Sequence, residues 1–171
     1  MSSSVSVISN FGILAARENR TANANYDAIY GEHCHRIYSL AFWMTDNELT
    51  AEQLSANTFL RAFASSAEPK TDQIDQAFLD EVRDLTMIGT LTLNSSVSVE
   101  TKSVCGNVKR VHLERAVVEL PATEKMIFLL HDVEGYTHER IARLLGLDVK
   151  ESQFGLHQAR LQMRELISRM S

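Results

Sequence analysis

The chain has 171 residues, 23% of them charged and 44% hydrophobic, a globular composition that suits one domain or two small ones. A formal net charge of −5 excludes a uniformly basic DNA-coating protein, so any phosphate-binding face must be local. No apolar run approaches the roughly 20 residues that cross a bilayer, and the N-terminus has no basic residue ahead of its apolar section, which makes it a poor secretory signal. Cys34 and Cys105 read as reduced thiols, so a cytoplasmic location without membrane insertion is expected.

Residues 1–22, rich in Ser, Asn and Ala with one apolar patch (Phe11, Ile13, Leu14), read as a loosely ordered leader. From Tyr26 the apolar positions fall at Ile29/Tyr30, His33, Ile37, Leu40/Ala41 and Met44, the stripe of a helix about five turns long. Asp46-Asn47-Glu48 interrupts it. Thr50 and Gln53 then have the spacing of a capping box, which opens a helix through Leu54, Thr58, Phe59, Ala62 and Phe63. Pro69 breaks the chain, and a third helix is expected from Ile74 to Ile88, with Gly89 at its end. Residues 90–106, rich in Ser, Thr and Val without helical period, read as a tether.

A helix from Asn107 to Leu120 begins the second half. Pro121 suits the first turn of the next helix, which carries Met126, Ile127, Leu129 and Leu130 and stops near Gly135. Thr137 then caps a short helix with Ile141, Leu144 and Leu145 on one face. Gly146 lets the chain leave in a left-handed conformation, and a long helix runs to Met170. That layout is a helix-turn-helix, whose second helix usually enters the DNA major groove. The fold expected is all-α: a leader (1–22), a helical bundle (23–89), a linker (90–106) and a second bundle containing the helix-turn-helix (107–171).

On a helical wheel the final helix turns Ser152, Leu156, Ala159, Met163, Leu166 and Met170 inward. Lys150, Gln153, His157, Gln158, Arg160 and Arg164 are the candidate DNA contacts, since Gln can read an adenine edge and Lys and Arg can hold phosphates. Phe154 and Leu161, seven residues apart on the outer side, favour a protein contact over the alternative that Phe154 touches a thymine methyl or is singly exposed. The partner of that strip is the first bundle, a second copy or a separate regulator; the sequence leaves the three open.

Other constellations carry less. His33-Cys34-His35 cannot converge on one ion, because adjacent helical residues point about 100° apart. Asp80, Glu81 and Asp84 read as a solvated helix face, and Tyr38, Phe42 and Trp43 as core packing rather than base-stacking groups. With no phosphate loop and no nucleophile motif, neither an enzyme nor a metal or other cofactor is expected.

The segment from Leu120-Pro121 to Gly135-Tyr136, continuing through Ile141-Ala142, Leu145-Gly146 and Leu156-His157-Gln158-Ala159-Arg160, resembles the C-terminal region of bacterial extracytoplasmic-function sigma factors. The stretch Arg36–Met44 followed by Ala51-Glu52-Gln53-Leu54 and Thr58-Phe59-Leu60-Arg61-Ala62-Phe63 resembles their polymerase-docking helix. The resemblance implies binding to core RNA polymerase through Glu52, Gln53, Leu54, Thr58, Phe59 and Arg61. It also implies promoter DNA as the target of the last helix, and an anti-sigma protein as a candidate regulator.

The departures are Gln53 and Ala56 where the family has Asp and Gln, and Asp84 and Leu85 in its promoter-melting helix. In the recognition helix they are Gln153, Phe154, Gly155 and Gln158 for Lys, Ser, Arg and Arg. They leave open a second reading, a sigma-like protein-binding module that has lost promoter melting.

Overall fold

The computed structural model describes residues 4–92 and 108–170, with side chains from residue 24 onward. These residues form seven α-helices and no strand. The first, α1, spans Ser4–Thr45. Residues 4–22, expected as a loosely ordered leader, are thus helical backbone continuous with the predicted helix. The stretch has no proline, so no residue in it is barred from a helix interior.

Helix α2 (Glu48–Ser65) begins two residues before the expected Thr50 cap. Asn47 is the cap: its Oδ1 accepts from the Thr50 N–H at 2.9 Å and from the Thr50 hydroxyl at 3.0 Å. Helix α3 (Thr71–Leu85) starts where the Gln73 side chain accepts from the Lys70 N–H at 2.8 Å. It ends three residues short of Ile88, because Thr86 is already extended (φ −151°, ψ 152°). Ile37, Leu40, Ala41, Leu54, Phe59, Ile74, Phe78 and Val82 form the core of these three helices.

Helix α4 spans Arg110–Val118 and α5 spans Ala122–Phe128, the latter opening just after Pro121 as its sequence predicts. A π-helical turn, Leu129–Val133, extends α5. Gly135 (φ +71°) releases the chain. Thr137 then accepts from the Arg140 N–H at 3.4 Å to open α6 (His138–Leu145), and Gly146 at φ +73° ends it. The long helix α7 spans Val149–Met170. It starts with a reciprocal box absent from the sequence reading: Asp148 Oδ1 accepts from the Glu151 N–H at 2.7 Å, and Glu151 Oε2 from the Asp148 N–H at 2.8 Å. Ile141, Leu145, Leu156, Ala159 and Ile127 close the core under the helix-turn-helix. The 90–106 tether lies, from residue 93 on, outside the described residues.

The two helical groups meet through a polar clasp. Asp75 of α3, 3% exposed, takes Arg36 Nη2 at 2.7 Å, Arg140 Nη2 at 2.9 Å and the Tyr136 hydroxyl at 2.7 Å. The Arg140 guanidinium also lies 3.8 Å from the centre of the Tyr136 ring and pairs with Asp72 at 2.7 Å. Nearby, Arg83 donates to the Leu144 carbonyl at 2.9 Å, which receives a cation at the C-terminal end of α6. The residues leaving α3 lie on the second group too. Gly89 N–H donates to Thr123 Oγ1 at 3.2 Å, and Thr92 N–H donates to Glu124 Oε1 at 2.6 Å.

Candidate nucleic-acid and polymerase interfaces

Helix α7 divides into two faces as its pattern requires. Ser152, Leu156, Ala159 and Met163 are buried, joined by Gly155, Gln162 and Ile167, while Leu166 and Met170 are half-buried against the core. Gly155 is buried because the helix passes close to its neighbours. A Cβ there would lie 2.5 Å from Ile127 Cδ1 and 2.8 Å from Leu91 Cδ2. The position where the sigma pattern carries an arginine is thus the seat of Leu91.

On the opposite side Lys150, Gln153, His157 and Arg164 are exposed. From Lys150 to Arg164 this line runs about 21 Å at 1.5 Å per residue, enough to follow a major groove over several base pairs. Two other candidates are placed differently. Gln158 is half-buried, and its Oε1 is enclosed without a hydrogen-bond partner. Arg160 is exposed but committed: its Nε lies 3.1 Å from Asp132 Oδ2 and its Nη2 2.6 Å from Asp132 Oδ1. Burial works to raise the Asp132 pKa, but the hydrogen bonds from Arg160 and His131 hold its carboxyl below the usual range.

Phe154 remains 45% exposed and shares a cleft of about 560 Å³ with Gly89, Leu91, Leu147 and Lys150. Leu161 is half-buried. Of the three partners left open for this strip, the chain's own residues after α3 adjoin its Phe154 end.

The proposed polymerase residues also separate. Glu52, Gln53 and Arg61 are exposed, while Leu54, Thr58 and Phe59 are buried, Phe59 at 2% exposure. The last three cannot reach a partner in this arrangement. They anchor α2, Thr58 by donating its hydroxyl to the Leu54 carbonyl at 2.7 Å. The sequence reading missed Leu49 and Leu60, which stand 65% and 69% exposed beside Glu52, Gln53, Ala56 and Asn57. Their signal was available: both fall on the side of α2 opposite Leu54, Thr58 and Phe59. Arg61 bridges to α3, with Nε 2.5 Å from Glu81 and Nη2 3.0 Å from Asp84.

Charge separates the halves as well. Residues 24–92 hold 4 Lys and Arg against 11 Asp and Glu, whereas residues 108–170 hold 10 against 9. The Asp/Glu excess of the first half disfavours phosphate, and the near balance of the second lets the outer side of α7 be locally basic.

Residues 110–163 match the family description sigma-70, region 4. The ECF RNA polymerase sigma factor SigE of Mycolicibacterium smegmatis is 25% identical over 175 aligned positions, spanning 93% of this chain and 68% of that protein. These two likenesses support the extracytoplasmic-function sigma factor family for this chain. The fold of the sigma factor RpoE from Bartonella quintana, solved in complex with the anti-sigma factor NepR, matches at a TM-score of 0.60 with 15% identity, covering 83% of this chain and 98% of that one. The chain is a sigma-type transcription initiation factor, and likeness along nearly its whole length favours that function over the protein-binding module kept open above. Among the described residues, no helix of this sigma factor is long and apolar enough to cross a membrane, and no group of His, Cys, Asp and Glu could hold a metal ion.

Proposed function

We propose that this sigma factor acts in the cytoplasm by binding alone, with its two halves dividing the work. The first (23–89) docks on core RNA polymerase through the exposed side of α2: Leu49, Glu52, Gln53, Leu60 and Arg61. The second (107–171) lays the outer side of α7 in the major groove of the upstream promoter element. Lys150 and Arg164 hold phosphates, and Gln153 and His157 face base edges. Polymerase supplies the chemistry and most of the affinity, which accommodates an acidic first half that would repel free DNA.

The observation that carries this reading is the amphipathic split of α7: one side sealed against α5 and α6, the other lined by exposed Lys150, Gln153, His157 and Arg164 after a capped, glycine-terminated α6. The test is selection from a random duplex pool by holoenzyme assembled from core polymerase and the full chain. Recovery of one recurrent upstream element, lost in a Gln153→Ala, His157→Ala double variant, supports the reading. A pool that stays random, or one whose element is indifferent to both changes, refutes it.

A further inference from the structure

The π-helical turn at Leu129–Val133 gives the end of α5 a second task. A π-turn takes in an extra residue and rotates the side chains that follow it, and such turns are frequent at functional positions. Here it presents two side chains to the helix-turn-helix. Asp132 receives the Arg160 guanidinium in a two-point fork at 2.6 and 3.1 Å. His131 Nδ1 lies 2.8 Å from the same Asp132 Oδ1. The His131 ring stacks on that of His138, with centroids 4.6 Å apart and planes 25° from parallel. His138 Nδ1 in turn lies 3.0 Å from the hydroxyl of Ser152, which is fully buried in the first turn of α7.

One polar chain therefore grips α7 at residues 152 and 160, about 12 Å apart along its axis. A planar guanidinium held at two points by a carboxylate resists rotation in a way that a single contact does not. We propose that Asp132 and Arg160 are positioning residues: the fork sets the roll of α7, and so decides whether Gln153 and His157 point at base edges. Arg160 is then spent on Asp132 and does not neutralise a phosphate. This rests on the promoter-binding reading above and refines it.

The experiment uses holoenzyme assembled from core polymerase and the full chain, with circular dichroism confirming that each variant folds. Its probes are the duplex selected by wild type and an unrelated duplex of equal length. Affinity for both is measured across salt concentration for wild type, Asp132→Ala, Arg160→Lys and the reciprocal pair Asp132→Arg with Arg160→Asp. The expected result is a loss of about tenfold in the selected-to-unrelated ratio for Asp132→Ala and for Arg160→Lys, roughly 1.4 kcal/mol of discrimination. The salt dependence of Arg160→Lys should not change, and the reciprocal pair should regain most of the ratio.

A phosphate-binding Arg160 behaves differently. Arg160→Lys then keeps the ratio, Asp132→Ala leaves it untouched, and the reciprocal pair lowers the salt slope by about one. Any of these overturns the inference while sparing the promoter reading. A wild type with no preference for the selected duplex overturns both.

Discussion

The Tyr136 hydroxyl donates to Asp75 Oδ2 at 2.7 Å across 61 residues of sequence, joining the loop before the helix-turn-helix to α3 of the first half. Arg36 Nη1 donates to that hydroxyl at 3.0 Å and Arg140 covers its ring; burial and the hydrogen-bonded Asp75 carboxylate push the phenol pKa well above its ordinary value, outweighing the lowering effect of the two arginines. Tyr136→Phe removes one well-placed bond but leaves both arginine–Asp75 pairs, and is expected to cost about 1 kcal/mol. Asp75→Ala leaves Arg36 and Arg140 facing each other and is expected to cost about 3 kcal/mol. Urea unfolding of the full chain checks both, and equal costs for the two variants would contradict the central place given to Asp75.

Leu91 and Gly155 make a second, apolar contact between the segment after α3 and α7. Gly155→Ala pushes a methyl group into Ile127 and Leu91 and should destabilise by about 1–3 kcal/mol through overpacking. Adding Leu91→Ala should return part of that loss by vacating one of the two clashes. A double variant no more stable than Gly155→Ala alone would place the whole strain on Ile127.

Glu124 is fully buried, its Oε1 accepting from Thr92 N–H while its Oε2 has no hydrogen-bond partner. Burial raises its pKa above the ordinary 4.5, more than the backbone hydrogen bonds from Glu124 and Thr92 lower it. The folded state therefore keeps a proton that the unfolded chain has released. Its contribution to stability is whole below pH 4.5 and declines as pH rises through the folded value. Glu124→Gln retains an oxygen for the Thr92 N–H and carries no charge, so its unfolding free energy should fall less than that of wild type from pH 4.5 upward. Parallel pH profiles for the two proteins would contradict a protonated Glu124.

Much of this fold is legible in the sequence because it rests on local chemistry. Thr137, Gly146 and the apolar spacing of Ile141, Leu144 and Leu145 specify the helix-turn-helix without any distant partner. Stripes of period 3.6 likewise give α2, α3 and the inner side of α7. Sequence alone puts the cap of α2 three residues late, because Asn47 and Thr50 are both competent caps and only geometry chooses between them.

The Asp75 clasp, the Asp132–Arg160 fork and the Leu91 seat were not legible, since each joins residues 28 to 65 positions apart and depends on how the helices pack. The π-turn has no compositional signature. The family motif points to Leu54, Thr58 and Phe59 as polymerase contacts, but they share the buried side of α2, and their part in any interface is to hold that helix in place.

That difference separates two kinds of substitution on α2. Phe59→Ala empties a core site and is expected to cost about 3–5 kcal/mol, visible in thermal unfolding before any partner is added. Leu60→Asp alters a side chain that is already 69% exposed and should change stability by less than about 0.5 kcal/mol. If Leu60→Asp unfolds the chain as readily as Phe59→Ala does, α2 is not oriented as described.

The most direct measurement is capture of core RNA polymerase by immobilised full chain, comparing wild type with Leu60→Asp at equal folded fraction. The account predicts stoichiometric capture by wild type and at least tenfold weaker capture by Leu60→Asp. Failure of the wild-type chain to retain polymerase, or equal retention by the variant, would contradict it.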